Sequence, residues 1–439
     1  MSRFLWSCFS IFLLSSDANA VTLEDAIKKA FKHNAKWIAA VLENQANQQE
    51  SSTAMAAFAP SINATASMGR NSSKTTQQDN NGKDIASEEK QNSKQVGLSL
   101  KQSILNFSSF AQVNNTKKSA LASKYNLEKA KQDTIMAVVE AYMNLWAAYE
   151  HIKIRIQNEK NLARDLEASR KRLEVGIGIR QDVAANEAAH AEATYHRIDA
   201  ESKLAAAIAE YEKTVGEKPD ENLEPLDIPK CIPDNYDKLF AEALRNNPSL
   251  KSSKYQTLAA EASIDIQRGS LLPSVALSAD INRRLSSVDS KRAGASSSSE
   301  PSASSSSVMI ELNVPLFACP SYSRIKQANL KAQAAQTNGL LMRQELEKAC
   351  RLHLAQLKTT EAQIKQADFA VKSAEIAVDG MRQCLNVGTK STTDVLQQEQ
   401  KLLQSRQSRV EATKNHVITV FTLLSLTGNL NLETIAKRN

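Results

Sequence analysis

The stretch QCLNVGTKSTTDVL, Gln383–Leu396, breaks a long helix-like region that holds little other glycine. A second stretch, KRLEVGIGIRQDVA, Lys171–Ala184, has the same form: Leu-x-Val-Gly, five residues, then Asp-Val. Leu173, Val175, Gly176, Asp182 and Val183 stand on Leu385, Val387, Gly388, Asp394 and Val395 at an offset of 212 residues. A glycine after a helical run is a helix stop. Ser391-Thr392-Thr393-Asp394 reads as the first turn of a new helix, where a carboxylate meets the positive end of the helix dipole. Asp182 fits the same capping role. The chain therefore reverses a long helix twice, in the same way.

The correspondence extends outward from these turns. FAPSINATASMGR (Phe58–Arg70) matches LLPSVALSADINR (Leu271–Arg283), LKQSIL (Leu100–Leu105) matches LNVPLF (Leu312–Phe317), and Gly216 falls on Gly428. LEDAIKKAFKHNA resembles YDKLFAEALRNNP, with Asn34 on Asn247. Self-similarity at this scale marks a duplication. The expected organisation is a leader over 1–20, one repeat over 21–216, a linker over 217–233, a second repeat over 234–428 and a tail over 429–439.

Each repeat opens with a helical stretch, Leu23–Phe58 or Tyr236–Gly269, the second with a turn at Asn246-Asn247-Pro248. Period-two alternation then predicts strands. Ile62, Ala64, Ala66 and Met68 share one face, as do Val275, Leu277, Ala279 and Ile281. The returning strands carry Val96, Leu98 and Leu100, and Val308, Ile310, Leu312 and Val314. Polar loops are expected between them, over Gly69–Gln95 and Leu285–Ser307. The second is Ser-rich and reads as mobile. Each repeat then runs about 68 residues without an internal proline, Phe107–Glu174 and Pro320–Asn386, rich in helix formers. Ile135, Val138, Tyr142, Leu145, Tyr149, Ile152 and Ile156, spaced by alternating threes and fours, form a coiled-coil seam. Such a helix is roughly 100 Å long. Shorter helices return over Gln181–Val215 and Thr393–Leu426. The fold class is mainly α, a long antiparallel helical bundle, with a separate β part.

The first twenty residues, with Arg3, an apolar run and Ala18-x-Ala20, read as a secretory signal peptide. Their apolar run is too short to span a bilayer, and Cys8 lies inside it instead of after it, which argues against lipidation. The formal net charge of +7 is spread along both halves, so nucleic-acid binding is not indicated. Cys231, Cys319, Cys350 and Cys384 show neither CxxC nor zinc spacing, and Cys350 and Cys384, roughly 50 Å apart on one helix, cannot bridge within one chain. They read as free buried thiols. The six histidines are scattered, and there is no HExxH, G-x-S-x-G or phosphate-binding glycine loop. No enzyme, cofactor or metal site is expected.

Four amphipathic strands of about ten residues have the length that crosses a bilayer when tilted. Four cannot close, and an open edge is not tolerated in lipid. Strands from other chains must complete a barrel. Two chains give eight strands, filled by side chains, whereas three give twelve and room for water. The alternative is a periplasmic coiled-coil adaptor or scaffold with no membrane barrel.

The signal peptide, the twofold repeat, the Pro-Ser strand starts and the paired VGxxxxxDV turns resemble the TolC-like outer-membrane factors, the outer-membrane efflux protein family. That resemblance implies a homotrimer with a twelve-stranded barrel in the outer membrane of a Gram-negative cell, four transmembrane strands per chain, and a helical hairpin tunnel in the periplasm. It implies an exit channel for an efflux pump or type I secretion system, working with an inner-membrane transporter and a periplasmic adaptor. The pore entrance falls at Asp394, with Gln397 where some members have a second aspartate. The gate contacts fall on Lys390, Gln181, Asp182 and Leu385; Leu385 replaces a tyrosine of some members. The helix-tip turns are Val175-Gly176 and Val387-Gly388. An equatorial region takes the 217–233 linker and the C-terminal segment.

Overall fold

The computed structural model describes residues 23–78, 82, 84–219, 223, 235–292 and 295–431. The expected leader, Cys231, most of the 217–233 linker and the end of the tail lie outside these residues. Thirteen elements follow one another among the described residues: α1 (Leu23–His33), α2 (Ala35–Ala56), β1 (Ser61–Gln78), β2 (Asp84–Leu105), α3 (Phe107–Glu174), α4 (Arg180–Val215), α5 (Tyr236–Asn246), α6 (Pro248–Gly269), β3 (Ser274–Arg292), β4 (Ala295–Ser299), β5 (Ser302–Asn313), α7 (Cys319–Asn386) and α8 (Thr392–Leu426). The two 68-residue helices are present at nearly the expected bounds. Asn106 starts α3 by accepting the amide of Ser109 at 3.1 Å, a side-chain cap on an otherwise unpaired donor.

The chain forms two compact units. One takes the described residues of 1–40, 128–247 and 344–439; the other takes those of 41–127 and 248–343. The first holds the main core, where Ile135, Val138, Tyr142 and Leu145 of α3 pack with Ile27, Tyr211, Val417 and Phe421. The seam expected on α3 is fully buried at those four positions, while Ile152 and Ile156 are half-buried. The expected single opening helix is two helices, because Asn34 interrupts it. Its Oδ1 accepts the amides of Lys36 and Trp37, and its Nδ2 donates to the carbonyl of Thr214 at 3.1 Å. Asn247 repeats the last contact, donating to Leu426 O at 3.0 Å.

The second unit holds the sheet. In the same unit polar contacts fasten α6 to α3 and α7: Asn115 to Ala259 O at 2.6 Å, Ser252 to Ala122 O at 3.2 Å, and Thr257 to Ala335 O at 3.2 Å. Tyr125 stacks on Tyr255. All strand pairs are antiparallel, in the order β1-β2-β3, with β4 and β5 both on the far side of β3. β4 and β5 form one returning strand interrupted at Glu300-Pro301.

The expected polar loops are largely strand. β1 and β2 pair continuously from Ser61↔Lys101 to Gln78↔Asp84, and the Ser-rich segment pairs with β3 from Ser302↔Leu285 downward and again over Ala295–Ser299. The alternation that marked the strands ends where apolar residues end. The ladder does not, because backbone hydrogen bonding needs no apolar side chain once register is fixed. Register places the apolar residues in rows on one face: Ile62–Leu100–Ala279–Val308, then Ala64–Leu98–Ile281. The opposite face carries Asn63–Ser99–Asp280–Ser307. Along β2 the polar-face residues Gln95 and Ser99 are half-buried and Gly97 is buried, while Val96 and Leu98 are exposed. The sheet therefore curves with its polar face inward and its apolar face out. No described helix is long and apolar enough to cross a membrane; the apolar sheet face is the element suited to lipid.

Candidate functional site

Both long helices end in the same construction. Gly176 and Gly388 adopt left-handed backbone, φ 78° and 77°. The amide of Gly176 donates to Leu173 O at 3.1 Å and that of Ile177 to Arg172 O at 3.0 Å; Gly388 donates to Leu385 O and Thr389 to Cys384 O, each at 3.0 Å. This pair of bonds is the Schellman helix stop, and it needs a residue without a Cβ at the left-handed position. Val175 and Val387 beside them are exposed.

The returning helices start differently. Ser391 caps α8 in a reciprocal capping box: its hydroxyl accepts the amide of Asp394 at 3.2 Å, and Asp394 Oδ2 accepts the Ser391 amide at 3.0 Å. These bonds hold the Asp394 carboxyl below its ordinary pKa. Asp394 thus caps a helix. Asp182 does not, contrary to expectation. The N-cap of α4 is Ile179, which makes no side-chain cap bond, so the box lacks its polar half. The first turn is instead closed by backbone contact: a Cβ on Gly178 would lie 2.7 Å from the amide nitrogen of Leu173.

Of the expected gate residues, Leu385 lines a cavity of about 150 Å³ with Asp165, Arg172 and Asn186, which brings it against α3 and α4. Gln397 is exposed at a cavity of about 310 Å³ that Arg155 and Glu192 also line. Among the described residues no ion pair or hydrogen bond within the chain joins Lys390 to Gln181 or Asp182.

The strongest polar cluster near the tips escaped sequence reading. Arg382 of α7 bonds Glu399 of α8 through Nη2 and, at 3.1 Å, Nε, and reaches Asp165 of α3 at 3.4 Å. Glu399 is buried, and its Oε2 has no partner. Burial pushes the carboxyls of both Glu399 and Asp165 upward, against the pull of Arg382. One guanidinium thus ties the first hairpin to the second. The signal for it lay in the repeat offset: Arg170 stands on Arg382 and Glu187 on Glu399, 212 residues apart, and Arg170 pairs with Glu187 at 2.6 Å.

The chain matches the outer membrane efflux protein family twice, over residues 26–216 and 239–429. It belongs to that family. It is 26% identical to the outer membrane efflux protein BepC of Brucella suis over 96% of this chain and 88% of that protein, so the likeness is full-length. It is also 26% identical to the alkaline protease secretion protein AprF of Pseudomonas aeruginosa, over 72% of this chain and 66% of that one. Among solved structures, the Campylobacter jejuni CmeC outer membrane channel superposes with a TM-score of 0.76 over 98% of this chain and 93% of that one, at 16% identity, which establishes the shared fold. The chain is an outer-membrane efflux channel whose helical part extends into the periplasm.

Proposed function

We propose that three copies assemble, each giving four strands to a twelve-stranded barrel and its two hairpins to a periplasmic tunnel that opens to an inner-membrane transporter through an adaptor protein. The assembly passes small molecules or proteins outward and catalyses no reaction itself. The observation that carries this reading is the sheet. Its outward face is apolar and exposed, and β1 and β5 leave two unpaired edges, which lipid does not tolerate. Each edge suits the opposite edge of another copy. The names of the relatives, an efflux protein and a protease secretion protein, support export by either route.

At the tunnel tips the carboxylate of Asp394 lies near the pore entrance with Gln397 one turn along. Lys390 of one copy and the uncapped Gln181–Asp182 turn of the next make the closed-state contact, since neither finds the other within a chain. Leu385 and the Arg382 cluster hold the two hairpins of one copy together. The test is electrophoretic: the purified protein should migrate as a detergent-stable trimer and as a monomer after boiling. A folded, monodisperse monomer in mild detergent contradicts the barrel.

A further inference from the structure

The outward face of the sheet continues well past its apolar belt, and the change of chemistry at the border is systematic. Before the change, the last residue of the unbroken apolar run is Val308 on β5, Ile281 on β3, Val96 on β2 and Met68 on β1. Register places these in successive rows, each one row higher than the last: Val308 with Ala279, Ile281 with Leu98, Val96 with Ala66, and Met68 with Lys94. A staircase of this kind is what a level membrane border becomes across strands tilted to a barrel axis.

The next outward residue above the border is Arg283 on β3, Lys94 on β2 and Arg70 on β1; on β5 it is Ser306. All three basic side chains are exposed, and none has an ion pair among the described residues. They are diagonal neighbours, about 7–8 Å apart from strand to strand. Higher on the same face come Lys74, Lys90 and Lys291, of which Lys74 and Lys90 flank Glu88. The inward face has no such concentration at the border; Arg284 there turns to Gln95 at 3.0 Å. The helices join the strands at the opposite side of the belt, so in the outer membrane, with the helices in the periplasm, this collar lies at the outer leaflet.

We propose that Arg283, Lys94 and Arg70 form a binding site for the phosphate groups of outer-leaflet glycolipid, repeated once per chain around the barrel. Unpaired cations just above an apolar wall match an amphiphile with acyl chains along the wall and phosphates at its rim. Charge-assisted bonds from arginine favour phosphate geometry, and a basic side chain at an anionic lipid surface contributes on the scale of a fivefold affinity change. The serines of β5 beside Arg283, Ser304 and Ser306, leave space for a bulky headgroup. This inference rests on barrel assembly, so its test begins from trimer verified by heat-dependent migration; loss of the trimer in the unaltered protein would count against the barrel instead of the lipid site.

The probe is bisphosphorylated lipid A, titrated at low salt onto trimer in neutral detergent. The triple variant R70Q/K94Q/R283Q should bind about a hundredfold more weakly, and Arg283→Gln alone about fivefold. The lumen-side control Arg284→Gln should bind as the unaltered protein does, and dephosphorylated lipid should bind weakly throughout. If the triple variant fails to assemble, Arg283→Gln decides. Unchanged binding by the charge-removed variants, equal loss in Arg284→Gln, or full displacement by excess inorganic phosphate overturns the proposal.

Discussion

The two hairpin tips share an arginine–glutamate pair at matching positions but set it in different surroundings. Arg170–Glu187 spans the first hairpin at the surface, with side chains 60% and 50% exposed. Arg382–Glu399 spans the second, where the glutamate is only 9% exposed and a third group, Asp165, comes from the first hairpin. The same two residue types therefore make a solvated decoration in one place and a cross-hairpin tie in the other. The tips differ also in how they restart. The second turn is held by its own side chains, Ser391 and Asp394, whereas the first relies on the close backbone approach at Gly178. The carboxylate at the second turn is engaged; that of Asp182 is not.

The largest effect should come from Arg382→Ala. It leaves the buried Glu399 facing the half-buried Asp165 and should lower stability by about 1–3 kcal/mol, discounted from a fully buried pair because Arg382 is partly exposed. The pH dependence has a definite sign. Burial raises the folded-state pKa of Glu399 and Asp165, so their contribution is present at acid pH and is lost as pH rises from the unfolded value near 4 through the raised one. Arg382 offsets that loss. Thermal melts of the variant should show a large defect at about pH 8 and a small one near pH 5. A defect independent of pH would remove the acids from the account.

Gly178→Ala comes next, because its Cβ meets backbone that cannot rotate away. A loss of about 1–3 kcal/mol is expected, against almost none for Lys390→Ala at the corresponding position, which already carries a Cβ. Equal melts for the two variants would show that the tips restart alike after all. Asp394→Ala should lower the melting temperature by removing the carboxylate half of the capping box, whereas Asp182→Ala, which removes no cap bond, should leave it nearly unchanged. The same pair sharpens the pore reading in planar bilayers. Asp394→Ala should relieve block by divalent cations added from the periplasmic side, while trimer yield stays near normal. Arg170→Ala should cost a few tenths of a kcal/mol at most, as expected for an exposed pair.

The sequence disclosed what periodicity can carry. Absence of proline and the Leu-x-Val-Gly stops set the 68-residue helices to within one residue. Alternation of Ile62 to Met68 and of Val275 to Ile281 located the strands. It could not show where they end, because Lys74, Glu88 and Ser304 continue a ladder held by backbone alone. Asn34 as a helix interrupter had a local signal, an asparagine able to cap the amides of Lys36 and Trp37, but its bond to Thr214, distant in sequence, did not. The Ser391–Asp394 box was legible because both halves are local. The lack of one at Asp182 was legible too, since Ile179 cannot cap, but the repeat drew attention to the aspartate and away from its partner. Arg382, Glu399 and Asp165 have ordinary helix-surface identities. Only packing of three helices gives them their chemistry, although the recurrence of Arg and Glu at an offset of 212 pointed to them.

The two unpaired edges of the sheet, β1 and β5, have a genetic consequence. A chain whose strands cannot be completed alone must commit to its neighbours on entering lipid, so a subunit with a faulty tip but intact strands still takes its place among healthy ones. In a cell making equal amounts of both, the proposed threefold assembly, drawing copies at random, leaves only about one complex in eight free of the faulty copy. Lesions at the helix tips should therefore be dominant over the normal gene, and lesions that abolish either edge strand recessive.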